Sequence, residues 1–234
     1  MTEELFREDA YLKSCDAQVV AVSDAGIELD RTVCYPSAGG QPGDIAILHT
    51  SAGDVAITDT LKGDGPGVIL HVPADGSPLP GVGDKVNVEL DWDRRHQHMR
   101  MHTALHLLCA LVDGQITGAQ VGTDKSRIDF NIPESPDKEL LESGLNKLIA
   151  EDHPVLQSWI SDAELDAQPD LVRSMSVQPP RGSGRIRIID IVDIDLQPCG
   201  GTHVKSTGEI GALRIGKIEN KGKQNRRINI VFDA

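Results

Sequence analysis

The sequence predicts an α+β protein in which a small N-terminal β-barrel is followed by an α+β part with an antiparallel sheet and helices. Short apolar runs separated by Gly, Pro and Asp fill roughly the first 91 residues, a pattern typical of small barrels and sandwiches. Helical periodicity begins at residue 92, and further strands and helices follow it. A length of 234 residues and a hydrophobic content of 39% allow one large domain or two small ones. The change of pattern favours two, residues 1–91 and 92–234.

The N-terminal part contains six runs that predict strands. The runs are Gln18–Val22, Ile27–Val33, Ile45–His49, Val55–Leu61, Val68–Val72 and Val86–Leu90. Each run is short, rich in aliphatic residues and bounded by residues that favour turns. The segment Pro73–Pro80 is a turn-rich connection before the last run. Strands at this spacing are expected to pair with their neighbours and to enclose an aliphatic core.

A long helix is predicted from about residue 92 to residue 112. Asp91 is suited to cap its N-terminus because a carboxylate accepts the unpaired backbone N–H groups there. An apolar stripe follows the helical period along one face. The stripe consists of Met101, Leu105, Leu108 and Val112. Gly114 is expected to end the helix.

The remaining sequence predicts strands and two shorter helical segments. Paired strands are expected within residues 116–132, and a helix is expected to start with Pro136 at its first position and to end near Ala150. A flexible loop is expected at residues 178–184. The other predicted elements are strands at Val155–Ile160, Arg185–Ile191, Gly211–Ile218 and Arg227–Phe232 and a helical turn at Asp162–Ala167.

Composition disfavours several classes of protein. The first residues lack the basic and then apolar pattern of a secretory signal, and no run approaches the about 18 apolar residues of a membrane span. Four cysteines in 234 residues do not indicate a disulfide framework, so we expect a cytoplasmic protein. The formal net charge of −13 argues against nonspecific binding of nucleic acid by the whole surface.

Two separated motifs carry a set of metal-binding side chains. His102 and His106 are four residues apart on the predicted helix, so both imidazoles leave the same face. Cys199 and His203 are also four residues apart, and the Gly-Gly pair between them permits a tight loop. One thiolate and three imidazoles suit a single zinc ion. Because the motifs are distant in sequence, the fold must bring them together, which favours an active site over a local staple.

These motifs resemble those of a known family. His102-Thr-Ala-Leu-His106 together with Cys199-Gly-Gly-Thr-His203 is similar to the editing domain of alanyl-tRNA synthetases and to the free-standing alanyl-tRNA editing proteins called AlaX. Threonyl-tRNA synthetases carry a similar domain. Tyr35-Pro-Ser-Ala-Gly-Gly-Gln-Pro-Gly-Asp44 resembles the glycine motif of the family's barrel, and Thr207-Gly-Glu-Ile-Gly211 resembles the segment after the second metal motif. A barrel that carries the glycine motif resembles the medium-length AlaX type.

The resemblance implies a trans-acting hydrolase. The sequence has no room for an aminoacylation domain, so the implied reaction is removal of serine, with glycine as a further candidate, from mischarged alanine tRNA. By the same resemblance, residues 1–91 form a barrel domain with the glycine motif, and residues 92–234 form a zinc-binding editing domain. Serine differs from alanine by one hydroxyl, so the pocket is expected to hydrogen-bond that hydroxyl.

The resemblance also implies pocket residues. Gln120 falls near a glutamine of the family's editing pocket, and we predict Gln120 and Thr123 as catalytic residues. Gly39, Gly40 and Gln41 are predicted to approach the aminoacyl group, because glycine lets backbone come close to a ligand. The alternative for the two glycines is an ordinary β-turn.

One position departs from the family pattern. The family often has a threonine immediately before the second histidine of the helix, where this sequence has Leu105. Thr103 lies two residues earlier and is the predicted substrate-contacting hydroxyl.

The C-terminal segment predicts contacts with tRNA. Between Val204 and Ala234 lie seven basic and three acidic residues, and phosphate recognition needs such cations. The predicted phosphate contacts are Lys217, Lys221, Lys223, Arg226 and Arg227, with Arg181, Arg185 and Arg187 as additional candidates. A solvated basic end without a partner is the alternative. Aromatic residues make up only 3% of the chain, which favours backbone recognition over base stacking.

The number of ligands leaves the role of the metal open. Catalytic zinc usually has three protein ligands and an open position, whereas four protein ligands close a structural site. The ion is therefore either catalytic, with His203 as a looser ligand than the other three, or structural in a non-catalytic tRNA-binding module. A zinc peptidase is disfavoured, because Thr103 stands where the HExxH motif has its glutamate base.

Overall fold

The computed structural model describes residues 1–175, 179 and 184–233 and confirms the predicted α+β fold class. The chain divides into two compact units, Met1–His96 and Gln97–Ala234. The first contains a closed antiparallel barrel, and the second contains two antiparallel sheets with helices. The division lies within a helix that starts at Trp92. Most of the loop predicted at residues 178–184, including Arg181, lies outside the described residues.

The first unit consists mainly of strands, and every run predicted as a strand overlaps at least one. The elements are β1 (Glu3–Glu4), α1 (Leu5–Glu8), β2 (Ser14–Ser23), β3 (Gly26–Leu29), β4 (Arg31–Thr32), β5 (Ala46–Thr50), β6 (Gly53–Lys62), β7 (Ile69–Pro73) and β8 (Lys85–Leu90). Strands β1 and β4 pair in parallel, and the other six close in the order β2-β3-β7-β6-β5-β8. The single predicted run at Ile27–Val33 is divided between β3 and β4.

The barrel closes around aliphatic side chains that alternate along its strands. In β8, Val86, Val88 and Leu90 are buried, whereas the polar residues between them are exposed or half-buried. Successive side chains of a strand point to opposite faces, so this alternation places every second residue in the core. Strand β8 pairs with both β2 and β5, which closes the barrel and leaves neither edge of β8 unpaired.

A buried ion pair fixes the segment that carries the glycine motif. Arg95 and Asp44 are 0% and 1% exposed, and Nε of Arg95 lies 3.1 and 3.0 Å from the two carboxylate oxygens. Arg95 also donates to the carbonyls of Ala10, at 3.1 Å, and Val33, at 2.7 Å. Asp44 accepts the backbone N–H of Tyr35 at 2.6 Å. Buried charges are tolerated only when they are paired and hydrogen-bonded, and this network meets that condition.

The glycine motif forms a two-residue turn. Ala38 and Gln41 exchange backbone hydrogen bonds of 3.1 and 2.9 Å, and Gly39 and Gly40 between them have φ values of 58° and 85°. Two successive positive φ values are typical of a type I′ turn, which glycine adopts without strain. A Cβ at Gly39 would meet no atom within 4 Å, so backbone conformation rather than crowding favours glycine there. The side chain of Gln41 is buried.

The described residues of the second unit form two sheets and three α-helices, the first of which begins in the first unit. The elements are α2 (Trp92–Leu111), β9 (Gln115–Gln120), β10 (Lys125–Asn131), α3 (Lys138–Ala150), β11 (Val155–Ile160), α4 (Asp162–Asp166), β12 (Ile186–Ile191), β13 (Asp195–Pro198), β14 (Leu213–Asn220) and β15 (Asn225–Phe232). One sheet has the strand order β14-β15-β10-β9 and the other β11-β12-β13. No helix among the described residues is long and apolar enough to cross a membrane.

Helix α2 starts as predicted. The carboxylate of Asp91 accepts the backbone N–H of Arg94 at 3.0 Å, which satisfies one of the unpaired donors of the first turn. The four residues of the predicted apolar stripe are all buried. Their burial fixes the rotation of the helix about its own axis, and it therefore fixes which side chains face the metal-binding motif downstream.

Two details of the second unit differ from the prediction. Helix α3 begins at Lys138, because the carboxylate of Asp137 caps it by accepting the N–H groups of Glu139 and Leu140. Pro136 therefore precedes the helix and is not its first residue. Strand β13 was not predicted, because its buried residues are polar and its period-2 pattern carries no apolar signal.

The first testable prediction concerns a buried histidine of the barrel. Nδ1 of His71 lies 3.1 Å from the carbonyl of Ile27, and Nε2 lies 2.8 Å from the hydroxyl of Thr32. Burial lowers the pKa of His71 from 6.5 to about 4. The unfolded chain binds a proton below pH 6.5 that the folded chain does not bind. Protonation of the unfolded chain therefore lowers the free energy of unfolding below pH 6.5 and has little effect above it. The free energy of unfolding should fall by about 3 kcal/mol as the pH drops from 6.5 to 4.

Urea unfolding of wild type and His71→Gln between pH 4 and 7.5 measures this effect. The substitution removes the titrating ring, so it should abolish most of the acid-side loss of stability. His49→Gln is the control, because His49 is a half-buried histidine of the same barrel whose hydrogen bonds to Glu89 and Asp54 raise its pKa. Its removal should therefore leave the acid-side loss in place or increase it, and should not reduce it. The same pH dependence in wild type and His71→Gln would contradict the prediction.

Candidate metal centre

The structure brings the four predicted metal ligands together. The ligand atoms of His102, His106, Cys199 and His203 all lie within 4.8 Å of one another. The three histidines are 8%, 7% and 5% exposed, so the cluster lies inside the second unit. A cluster of this composition can hold a metal ion.

Helix α2 supplies two of the ligands. His102 and His106 are one turn apart, with ring centroids separated by 5.5 Å. The ring centroid of His203 lies 4.4 Å from that of His102 and 4.8 Å from that of His106. The three imidazoles therefore lie close together on one face of the helix.

The loop after β13 supplies the other two ligands. Arg187 in β12 donates to the carbonyl of Cys199 at 3.2 Å and to that of Gly201 at 2.7 Å. The backbone N–H of Cys199 in turn donates to the carbonyl of Arg187 at 3.1 Å. The Arg187 guanidinium is also held by the side chain of Gln157. Arg187 therefore fixes the loop that presents Cys199 and His203.

The spacing of the donor atoms fits a tetrahedral zinc site. Sγ of Cys199 lies 3.6 Å from Nε2 of His102 and 3.3 Å from Nε2 of His203. Zinc–sulfur and zinc–nitrogen bonds of usual length, arranged tetrahedrally, separate sulfur from nitrogen by about 3.6 Å. These two sulfur–nitrogen distances are thus already close to the edge length that a bound zinc ion requires.

A carboxylate orients one of the histidines. Oδ2 of Asp195 lies 2.8 Å from Nδ1 of His106, so Nδ1–H donates to Asp195 and Nε2 is left for a metal. The amide of Gln197 donates to both carboxylate oxygens at 2.7 and 2.8 Å, and the Arg173 guanidinium lies 4.0 Å away. Arg173 also donates to carbonyls at the end of α2, including that of Val112 at 3.1 Å.

A hydroxyl orients a second histidine. The hydroxyl of Thr103 donates its single proton to the carbonyl of Met99 at 2.9 Å. It must therefore accept from Nδ1 of His203, at 3.2 Å, and from the backbone N–H of Val204, at 3.3 Å. This arrangement directs Nε2 of His203 toward Cys199. Thr103 is fully buried, and its predicted substrate contact stays a prediction beside this orienting role.

The electrostatics of the cluster favour the metal-binding forms of Cys199 and His203, and the protonated form of His106. Burial raises the pKa of the Cys199 thiol, but the imidazoles of His102 and His203 outweigh it and hold the pKa well below 9.0. Burial and the charge of His102 lower the pKa of His203 to about 3. Burial lowers the pKa of His106 as well, but the hydrogen bonds to Asp195 and Cys199 raise it to about 10. A metal ion at the cluster replaces the proton that His106 otherwise holds.

The two predicted catalytic residues lie on and beside the four-stranded sheet. Gln120 is exposed at the end of β9, and Thr123 is half-buried in the turn between β9 and β10. Gln120 lines a groove of about 390 Å³, which we call the sheet groove. Its lining residues are Gln120, Lys125, Ser126, Arg127, Glu219, Lys221, Arg227 and Asn229.

The predicted tRNA-binding residues fall into two groups. Lys217, Lys221 and Lys223 are exposed. Arg226 is 9% exposed and donates to backbone carbonyls, among them that of Gly222 at 3.0 Å. Arg227 is held by Asp129, and the hydrogen bond to this carboxylate raises the pKa of Arg227.

The additional arginines also differ in their surroundings. The guanidinium of Arg185 lies 4.3 Å from the ring centroid of Trp159. Arg187 is 6% exposed and holds the metal-binding loop, so the structure gives it a role that the sequence did not predict.

Sequence reasoning missed the residues that support the ligands. Asp195, Gln197 and Cys199 lie at alternate positions leading into the metal motif, so they share one side of the extended chain. Leu196 between the first two is 43% exposed. The strand therefore has polar residues pointing inward and an apolar residue pointing outward. The sequence shows only the alternation and does not indicate which side is buried.

Two family models match the chain. The model described as threonyl and alanyl tRNA synthetase second additional domain matches residues 186–229. The model described as tRNA synthetases class II (A) matches residues 7–94. The first match contains Cys199 and His203, and the second contains the glycine motif.

Curated relatives match over nearly the whole chain. The alanyl-tRNA editing protein AlaX-M of Methanosarcina acetivorans is 39% identical over 97% of this chain and 98% of its own length. AlaX-M of Saccharolobus solfataricus is 34% identical over 97% of this chain and 98% of its own length. The alanine–tRNA ligase of Archaeoglobus fulgidus is 33% identical over 94% of this chain but only 24% of its own length.

A second prediction concerns Asp195. Replacing it with Ala removes the acceptor that orients His106, so metal affinity should fall by about 10- to 100-fold. Titration against a chromophoric chelator measures the affinity, and circular dichroism confirms that the variant is folded. Asp190→Ala is the matched control, because Asp190 is a half-buried carboxylate on the adjacent strand β12 and should leave the affinity unchanged. Wild-type affinity in Asp195→Ala would show that the carboxylate does not support the site.

Proposed function

Because this chain belongs to the family of alanyl-tRNA editing proteins, we propose that it is a cytoplasmic, trans-acting deacylase for mischarged alanine tRNA. The proposed substrate is seryl-tRNA(Ala), with glycyl-tRNA(Ala) as the further candidate. The reaction is hydrolysis of the ester between the amino acid and the terminal ribose. The observation that carries the proposal is the convergence of His102, His106, Cys199 and His203 within 4.8 Å in a chain related to AlaX-M over almost its full length.

One zinc ion is the proposed cofactor. Three imidazoles and a thiolate at the observed spacing match its preferred donors. When bound, zinc supplies a Lewis acid that polarises an ester carbonyl or lowers the pKa of water. The chain's own contribution is to fix the ligands, since Asp195 holds His106 and Thr103 holds His203 in the tautomers that leave one ring nitrogen for the ion.

The pocket residues remain as predicted. Gln120 and Thr123 are the proposed catalytic pair, and Gln120 lines the sheet groove. Gly39, Gly40 and Gln41 are the proposed contacts to the aminoacyl group. The open tip of the type I′ turn at Gly39 and Gly40 supports backbone contact there.

The charge distribution supports tRNA binding through the second unit. The first unit has seven basic and seventeen acidic residues, whereas the second has sixteen and nineteen. Phosphates are attracted to the surface with more cations. Lys217, Lys221 and Lys223 are the proposed exposed contacts. Arg226 and Arg227, which are hydrogen-bonded within the sheet, would offer only their remaining donors.

A second candidate function is a non-catalytic, zinc-stabilised tRNA-binding module. It is favoured by the number and burial of the ligands, because four protein ligands are typical of a closed structural site. In that case metal removal unfolds the second unit, and hydrolysis is absent whether or not metal is bound.

The deciding experiment is a deacylation assay on seryl-, glycyl- and alanyl-tRNA(Ala), with the metal-loaded protein and after chelation. We expect rapid hydrolysis of the seryl ester and little hydrolysis of the alanyl ester, since a site that hydrogen-bonds a hydroxyl can discriminate by 10⁴-fold or more, roughly. Chelation should abolish the activity.

Two cysteine variants test whether the activity depends on the metal cluster. Cys199→Ala should lose metal and activity, whereas Cys15→Ala, at a free cysteine of the first unit, should retain both. Equal inertness of the metal-loaded protein toward all three esters would refute the deacylase proposal and support the binding module.

A further inference from the structure

The sheet groove contains a charged network that the metal site does not use. Its lining includes four cationic side chains, Lys125, Arg127, Lys221 and Arg227, but only one carboxylate, that of Glu219. This local excess of positive charge contrasts with the overall net charge of −13. A concave, cationic surface on an acidic protein attracts anions selectively to one place.

Asp129 anchors both arginines of the groove. The guanidinium of Arg227 donates to its two oxygens through Nε and Nη2, each at 2.8 Å. Nη1 of Arg127 donates to Oδ2 at 3.0 Å. Asp129 is 6% exposed, so these bonds are shielded from water and fix two long side chains in one geometry.

The network extends from Arg127 to Gln120. Nε of Arg127 donates to the side-chain oxygen of Gln120 at 3.2 Å. Arginine has donors and no acceptor, so the amide oxygen of Gln120 must face Arg127. The NH₂ group of Gln120 is then turned away from Arg127. Asp129, Arg127 and Gln120 thus form a chain in which each group fixes the next.

The arrangement offers hydrogen-bond donors to a ligand. Each guanidinium has five N–H donors and uses only part of them in the bonds above, and Gln120 adds its amide N–H groups. Neighbouring cross-strand positions place Arg127 beside Gln120 and Asp129 beside Arg227. These three side chains present donors and positive charge, which favour the oxygens of a phosphodiester. The one carboxylate in the lining, that of Glu219, is paired with Lys221 at 2.8 Å.

We propose that Asp129 is a positioning residue that holds Arg127, Arg227 and, through Arg127, Gln120 as one donor array for a backbone phosphate of tRNA. The inference rests on the proposed function for the identity of the ligand. It adds Arg127 and Asp129 to the residues that act on that ligand. It also gives the Gln120 amide a second role, as a phosphate donor, beside its proposed catalytic role. Its test requires binding and no hydrolysis, so it is separable from the deacylase proposal.

The sharpest test is Gln120→Glu in the metal-loaded full chain, with an uncharged alanine tRNA transcript as the probe. The new carboxylate keeps an oxygen toward Arg127 but replaces the outward N–H groups with a negative oxygen. We expect the dissociation constant to rise by about tenfold or more, since a donor is replaced by a repelling acceptor. Gln120→Met, which removes the donor without adding charge, should give a smaller loss.

Asp129→Asn tests the anchor itself. Loss of the carboxylate frees both arginines, and we expect about a five- to tenfold weaker affinity for the tRNA. Because the guanidinium charges remain, the slope of log affinity against log salt should stay near that of wild type, whereas Arg227→Met should reduce it by about one. A merely structural residue would not produce this difference between affinity and salt slope.

Lys147→Ala is the control, because Lys147 is a cation of the same unit on the exposed face of α3 and outside the groove. Its affinity for tRNA should stay within about twofold of wild type, and metal content should be unchanged in all variants. Wild-type affinity in Gln120→Glu, or an equal loss in Lys147→Ala, overturns the proposal. Normal binding with no deacylation would refute the proposed function and leave this inference standing.

Discussion

Four side chains from two distant segments must meet within 4.8 Å, and the architecture of the second unit depends on this convergence. Helix α2 can present His102 and His106 together only if its rotation is fixed, and the buried apolar stripe fixes it. The loop after β13 can present Cys199 and His203 only if its backbone is held, and Arg187 holds it through two carbonyls. Core packing therefore orients the two ligands on the helix, and a buried arginine orients the two ligands on the loop.

Burying the cluster creates a second requirement, because polar groups away from water must find partners. Arg173 meets this requirement on two sides at once. It donates to carbonyls at the end of α2, which no further helical turn can satisfy, and it lies 4.0 Å from Asp195. The end of the helix and the carboxylate that orients His106 are thus linked by one side chain. Arg95 has a comparable role in the first unit, where it donates to Asp44 and to two backbone carbonyls.

The sequence predicts the backbone best where a residue pattern is compatible with few conformations. Histidines four apart on a helix, a Gly-Gly pair in a turn and alternating aliphatic residues in β8 each limit the backbone to few conformations, and the structure has the expected ones. The sequence was least informative where a polar residue serves another polar residue. Nothing local distinguishes Asp195 beside His106 from an exposed aspartate, since the contact spans 89 positions. Likewise, nothing in the sequence indicates that the Thr103 hydroxyl accepts from His203, because the two residues are 100 positions apart.

The arginines of β15 show why charge counted along a sequence differs from charge available to a ligand. Arg226 and Arg227 add to the basic C-terminal segment, but Arg226 is 9% exposed and bound to backbone carbonyls, whereas Arg227 is paired with Asp129. A paired guanidinium still has donors, and because its position is fixed it is suited to recognising a phosphate by geometry. In the proposed complex, the exposed Lys217, Lys221 and Lys223 would attract phosphate without fixing its position. The first unit has seventeen carboxylates and would repel RNA. In the proposed complex, lysines that attract and arginines that position would therefore direct a tRNA to one face of the second unit.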